Sequence, residues 1–215
     1  METEPASYLP GAWNFDLGDG RSISLLSELL PAMTQDESAT RTFYGGYRTA
    51  SVRDLLLIGG KLYDLRDAQG KVGQAVQSAC KFIREGIRNN WLNTQTRIRY
   101  QPDGNDVVTQ DYGTPHAESK VVGFVGNDGE IQTNLTLEQS LALTGKTPKQ
   151  TEETMSYLNN TPGFVWRVNL RPETVDERVV GLYAYSVRFS LLCWDPQYAG
   201  ASFGVHLGAK NSESR

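Results

Sequence analysis

The chain has 215 residues, of which 39% are hydrophobic and 21% charged, with a net charge of −4. That length suits one domain that can bury about 70% of the surface its unfolded form exposes, and the composition excludes global disorder. The acidic balance excludes a nonspecific phosphate-backbone binder, and the longest apolar run, Leu55-Leu56-Leu57-Ile58, is far too short to cross a bilayer.

Residues 1–20 are turn-rich, with Pro5, Pro10, Gly11 and Gly18-Asp19-Gly20, and read as an arm or an opening hairpin. Trp13 and Phe15 are spaced to point the same way from an extended segment. Residues 21–31 (RSISLLSELLP) predict a short helix, capped by Ser22 or Ser24 and ended by Pro31. Residues 34–50 read as loop, pinned by Phe43, Tyr44 and Tyr47. Residues 52–66 read as a short helix or strand, a turn at the break Gly59-Gly60, then Lys61 to Leu65 extended. Val72, Ala75, Val76, Ala79, Cys80, Ile83 and Ile87 recur at three and four, which predicts an amphipathic helix over 71–90.

Thr96 to Tyr100 alternates like a strand and Pro102-Asp103-Gly104-Asn105 is a turn by composition. Val107–Thr109 and Lys120–Val125 predict two more strands, the second closed by a turn at Asn127-Asp128-Gly129. Thr136 caps a short helix over 136–143, and Pro148 suits the first turn of another over 148–158. Phe164 to Asn169 predicts a strand, Val179 to Trp194 one long strand, and residues 201–207 a last short one, followed by a frayed tail. The class is α+β, as one domain over 1–215 with an arm and extension over 1–50.

Catalytic signatures are missing. His116 and His206 have no zinc spacing, and no Gly-x-Ser-x-Gly elbow supports a hydrolase. Gly45-Gly46 and Gly59-Gly60 lack the rest of a phosphate-binding loop. Asp103, Asp106 and Asp128 read as turn residues rather than calcium ligands, and Glu152-Glu153 as acids favourable early in a helix. Cys80 and Cys193 read as two buried reduced thiols. No cofactor and no metal is expected. No secretion signal follows Met1, so the Asn-x-Thr triplets at Asn134 and Asn159 carry no weight as glycosylation sites.

The last fifth of the chain is the informative part. In alternation, one set holds Val179, Gly181, Tyr183, Tyr185, Val187, Phe189, Leu191 and Cys193, and the other Val180, Leu182, Ala184, Ser186, Arg188, Ser190, Leu192 and Trp194. A half-buried strand would put the first set in the core. Against that, Asp195-Pro196-Gln197-Tyr198-Ala199-Gly200 carries the same mixture of aromatic, small and polar residues into a loop. Tyr and Trp among Ser, Ala and Gly suit a recognition surface, because Tyr gives large contact area with few torsions.

Several segments carry a family resemblance: Phe164-Val165-Trp166-Arg167-Val168-Asn169, Glu177-Arg178-Val179-Val180, Ala184-x-Ser186, Leu191-x-Cys193-x-x-Pro196 and Ala201-Ser202-Phe203-Gly204-Val205-His206-Leu207. Together they resemble the C-terminal variable region of a diversity-generating-retroelement target protein, with His206 where Arg is commoner. The resemblance covers roughly the last 50 residues. It implies a C-type-lectin-like fold and a variable region over 165–207, rewritten by a mutagenic reverse transcriptase. It further implies a ligand-binding surface made by Tyr183, Tyr185, Val187, Phe189, Ser190, Leu192, Trp194, Asp195, Tyr198 and Gly200. Tyr183, Tyr185, Trp194 and Tyr198 would be the anchors. Val179, Val180, Leu191, Val205 and Leu207, together with the early helix and Trp166, would hold the backbone.

The function so implied is non-catalytic capture of a protein or cell-surface ligand, on a virion or cell surface, with no nucleic acid and no membrane insertion. Two rivals remain open. One is a structural component of a virion or envelope, with the Tyr-rich strand at a subunit interface. The other is an enzyme on a formylglycine-generating-type scaffold, which would need a reactive cysteine pair where only Cys193 is available.

Overall fold

The computed structural model describes residues 6–9, 11–18, 20–41 and 46–209, with backbone only at 6–9 and 209. In chain order the first half comprises β1 (Ala6–Leu9), β2 (Ala12–Asp16), β3 (Arg21–Met33), α1 (Gln35–Thr40), β4 (Arg48–Thr49), α2 (Val52–Asp64), α3 (Gly70–Asn89), β5 (Leu92–Tyr100) and β6 (Val107–Gln110). The second half comprises β7 (Glu118–Val121), β8 (Gly129–Glu130), α4 (Ile131–Asn134), α5 (Leu137–Thr144), α6 (Pro148–Asn159), β9 (Gly163–Val165), β10 (Asp176–Tyr185), β11 (Arg188–Trp194) and β12 (Gly200–Ala209). Six helices and a twelve-stranded sheet among the described residues make a mixed architecture, in keeping with the α+β class.

The main path of the sheet runs β1-β2-β3-β12-β5-β10-β11-β9-β8, with β6 and β7 branching from β5 and β4 from β12. The closing strand β12 lies antiparallel to β3 from Gly200 opposite Met33 to Ala209 opposite Arg21, so the last strand of the described chain is tied to the third. Helix α3 packs on β10 and β3, while α6 packs on β9 and β11, and the core lies between these layers.

Local chemistry explains the helices that the sequence foretold. Thr136 and Thr147 each cap a helix with the reciprocal bonds of a capping box, to Gln139 and Gln150, and Pro148 opens α6. The amphipathic face of α3 buries Val76, Ala79, Cys80, Ile83 and Ile87.

Six expectations fail. Residues 21–31 form part of β3, not a helix. Their apolar positions fit both periods, and pairing with β2 on one side and β12 on the other favours the strand. Pro31 does not end a helix; it sits where Pro31 and Ala32 face the single Ala201 between the pairs Leu30–Ser202 and Met33–Gly200. At such a bulge a proline forfeits no ladder bond. Residues 34–50 are not all loop: Thr34 and Glu37 form a capping box at the start of α1, and Arg48–Thr49 pairs with β12.

Residues 52–66 do not break at Gly59-Gly60, since α2 runs through them. A Cβ on Gly59 would stand 2.7 Å from Thr154 Cγ2 and 2.9 Å from Leu158 Cδ1, so this glycine allows α2 to cross closely over α6. The strand at 120–125 is shifted to Glu118–Val121, and that at 164–169 shortens to Gly163–Val165. Last, residues 179–194 fold back as the β10–β11 hairpin, with Ser186 and Val187 at its tip.

The opening residues do form a hairpin, β1–β2, with Trp13 and Phe15 buried in the core. Val179, Val180, Leu191 and Val205 are buried as expected of anchors, whereas the Leu207 side chain is 45% exposed and adds no core contact, although its backbone pairs with Ile23. Trp166 is half-buried. The loop pins Phe43 and Tyr44, the prolines Pro5 and Pro10, and the tail from 210 lie outside the described residues.

A buried carboxylate fixes the approach to β10. Asp106 accepts from the backbone N–H groups of Gln101 (2.8 Å), Phe124 (2.7 Å) and Val125 (3.3 Å), and pairs with Arg171. It thus joins the end of β5, the segment after β7 and the connection from β9 to β10. Its neighbour Asp103 stays exposed and shapes the turn by accepting from Asn105 N at 3.0 Å, as a turn residue should.

Candidate functional site

Cross-strand partners share a face of a sheet, and they decide which side chains of the hairpin meet water. In β10–β11, Tyr185 lies opposite Arg188, Tyr183 opposite Ser190, Gly181 opposite Leu192 and Val179 opposite Trp194. These form the face turned away from the helices. Ala184 opposite Phe189, Leu182 opposite Leu191 and Val180 opposite Cys193 form the inner face. On β9, Phe164 is opposite Ser190 and joins the outer face.

That outer face carries a continuous aromatic row. Tyr185 meets Tyr183 edge-on at 4.6 Å between ring centroids, and Tyr183 lies 5.2 Å from Trp91. Trp91 stacks on Trp194 at 5.3 Å, and Trp194 meets Tyr198 at 5.1 Å. At the other end the Arg188 guanidinium sits 5.3 Å from the Tyr185 ring, 5.0 Å from Trp166 and 4.7 Å from Phe164. Aromatic pairs at these separations stabilise one another beyond the area they bury. Trp91, Tyr185 and Tyr198 are 43%, 39% and 40% exposed, and Val187 at the hairpin tip is 71% exposed. Beside the row lies an open recess of about 270 Å³ lined by Trp91, Trp166, Tyr185, Leu192, Cys193 and Trp194.

Trp194 is built in rather than merely displayed. Its indole lies over Gly181, where a Cβ would stand 1.9 Å from Trp194 Cζ2. Its Nε1–H donates to Asn93 Oδ1 at 2.9 Å, while buried Asn93 donates to Met33 O (3.1 Å) and Tyr198 O (2.8 Å). One amide therefore ties together the indole, the end of β3 and the loop carrying Tyr198. Asp195 shapes that loop, its carboxylate accepting from Gln197 N at 2.8 Å.

The ten residues expected to form the surface do not stay together. Tyr183, Tyr185, Val187, Trp194, Asp195 and Tyr198 reach the outer side, fully or in part. Phe189, Ser190, Leu192 and Gly200 are buried. Phe189 points to the inner face, because the two-residue turn pairs each odd-numbered residue with an even-numbered one. Ser190 and Leu192 face outward but are covered by their neighbours, and the Ser190 hydroxyl finds no partner. Gly200 is a packing glycine, since a Cβ there would lie 2.9 Å from Trp91 O and 3.0 Å from Tyr198 Cε1. The sequence reading did not include Trp91, Phe164 and Arg188 in the surface, and cast Trp166 as a scaffold residue. No local signal in the sequence marks Trp91, which joins because β5 pairs with β10.

The groups that could serve other chemistry are elsewhere or inert. Burial pushes the Cys193 thiol up to about 12, and Cys80 also titrates above its ordinary value because it is buried. A thiol so shifted is not a ready nucleophile. Among the described residues no three His, Cys, Asp or Glu side chains gather as a metal site, and no helix is long and apolar enough to cross a membrane. Comparison with family models, curated proteins and solved structures gives no match.

Proposed function

We propose that this protein is a non-catalytic ligand-binding protein that displays a diversified surface to a protein or cell-surface target, on a C-type-lectin-like scaffold. Mutagenic reverse transcription of the codons for about residues 165–207 generates the diversity. The observation that carries the reading is the outward aromatic row from Tyr185 to Tyr198, held on a hairpin whose inner face is core. A surface that tolerates wholesale change must not share side chains with the core, because core changes of one methylene are felt and exposed ones mostly are not. Tyr185, Val187 and Tyr198 meet that condition, and Tyr183 meets it in part. Aromatic residues ringed by tighter contacts are also the composition of binding hot spots.

Trp194 has a different place in this reading. Seated on Gly181 and bonded to Asn93, it is a fixed platform between varied neighbours. The DNA beside the gene tests the proposal. It should hold a near-copy of the codons for about residues 165–207, differing mainly at adenines, and a reverse-transcriptase gene. The differences should fall at Tyr183, Tyr185, Val187 and Tyr198 and spare Gly181, Phe189, Leu191 and Gly200. A locus with neither element refutes the diversification, and a near-copy that differs mainly at the buried positions refutes the assignment of the surface.

A further inference from the structure

At the edge of the recess two side chains hold donors with nothing to bond: Trp166, which lines it, and Arg188, which packs on Trp166. Trp166 Nε1 and Arg188 Nε are both buried and both lack an acceptor. Buried donors are almost always satisfied, and leaving one unmade costs free energy. Two orphans on adjacent side chains, 5.0 Å from guanidinium to ring, are therefore a specific anomaly. Arg188 makes no ion pair among the described residues, although it is only half-buried, and its guanidinium is walled by Phe164, Trp166 and Tyr185. None of the residues lining the recess is acidic.

We propose that this corner takes a carboxylate, an Asp or Glu side chain of a protein ligand, on Arg188 and Trp166. The inference rests on the recognition reading above and names the chemistry of its target. A guanidinium offers a planar fork of N–H groups that fits a carboxylate with two parallel bonds, and the indole N–H supplies a third donor from the side. A phosphate carries more charge than the one cation here would balance. The recess volume of about 270 Å³ suits one side chain, with Trp91 and Trp194 walling its aliphatic stem. Both orphan nitrogens are closed off as the side chains lie, so the guanidinium must swing off Trp166 to admit the ligand. Arg188 directly follows the two tip residues of the hairpin, where such a movement disturbs least.

Indole N–H resonances of the full chain test this, since the four tryptophans report separately. The probe is N-acetyl-glutamate methylamide, compared with N-acetyl-glutamine methylamide and inorganic phosphate at constant ionic strength. The expected result is a saturable downfield movement of the Trp166 indole proton with the glutamate derivative alone, while the Trp194 indole, already bonded to Asn93, stays in place. Arg188→Gln should weaken the effect at least about tenfold, as loss of one partner of a charge-assisted pair does. Arg188→Lys, which keeps the charge without the fork, should weaken it less. Unmoved Trp13 and Trp194 resonances in each variant certify the fold. No movement of Trp166, equal movement with glutamine or phosphate, or an unchanged response in Arg188→Gln would overturn the carboxylate site. Those outcomes leave the diversified surface standing, because it depends on Tyr183, Tyr185 and Tyr198 and is read from the DNA.

Discussion

Asp106→Ala should destabilise the protein by about 3–5 kcal/mol, the range for removing one partner of a buried, hydrogen-bonded charge pair. Asp106 is completely buried, and its carboxylate is the acceptor for Gln101, Phe124 and Val125 N–H as well as the partner of Arg171. Alanine leaves the three backbone donors without an acceptor, and each orphan costs about 1–3 kcal/mol where water cannot reach it, while the part-exposed Arg171 keeps only its bond to Gln101 O. In a chain of this size the melting temperature should fall by roughly 6–20 °C. Asp103→Ala, three residues away in the exposed turn, should change stability by well under about 1 kcal/mol. Denaturant titration of both variants checks the contrast. Equal small losses would mean that the carboxylate does not bind the three segments together.

Gly181→Ala should cost about 2–4 kcal/mol, in the range of overpacking plus a lost buried hydrogen bond. The added Cβ would stand 1.9 Å from Trp194 Cζ2 and 2.2 Å from Cη2, so the indole must leave its seat. Leaving breaks the bond to Asn93 and the stack on Trp91. The loss should therefore be coupled: once Trp194 is replaced by Ala, adding Gly181→Ala should cost little more, because the clash has gone. A double-mutant cycle in denaturant reads this directly, and additive losses would show that Gly181 is constrained by something other than the indole.

The same residues explain how far the sequence was legible. Caps and helical faces depend on neighbours within one turn, which is why Thr136, Thr147-Pro148 and the apolar face of α3 were readable. Residues 21–31 were not, because their leucines fit either period and the decision comes from β2 and β12, which lie elsewhere in the chain. The hairpin at Ser186-Val187 carries little turn signal, since serine is a weak turn former and valine is none. Neither residue is Gly, Asn, Asp or Pro, and neither takes the left-handed backbone usual in two-residue hairpins.

That single missed turn decides the site. Along one uninterrupted strand every odd residue would share a face, so Tyr183, Tyr185, Phe189 and Leu191 would go together. Folding back at 186–187 reverses the parity, sending the two tyrosines outward and Phe189 and Leu191 inward. The mixture of aromatic and small residues that marked the region does not carry the orientation of its side chains. Trp91, 92 residues before Tyr183 in the chain, enters only because β5 pairs with β10.

The central claim is that the outward side chains are replaceable while the inward ones hold the fold. Saturation substitution of Val179 through Gly200, with resistance to proteolysis as the measure of folding, tests it most directly. Nearly every side chain should be accepted at Tyr185, Val187 and Tyr198 and most at Tyr183, with few accepted at Gly181, Phe189, Leu191 and Gly200. Loss of folding at Tyr185 and Tyr198 as complete as at Leu191 would contradict the claim.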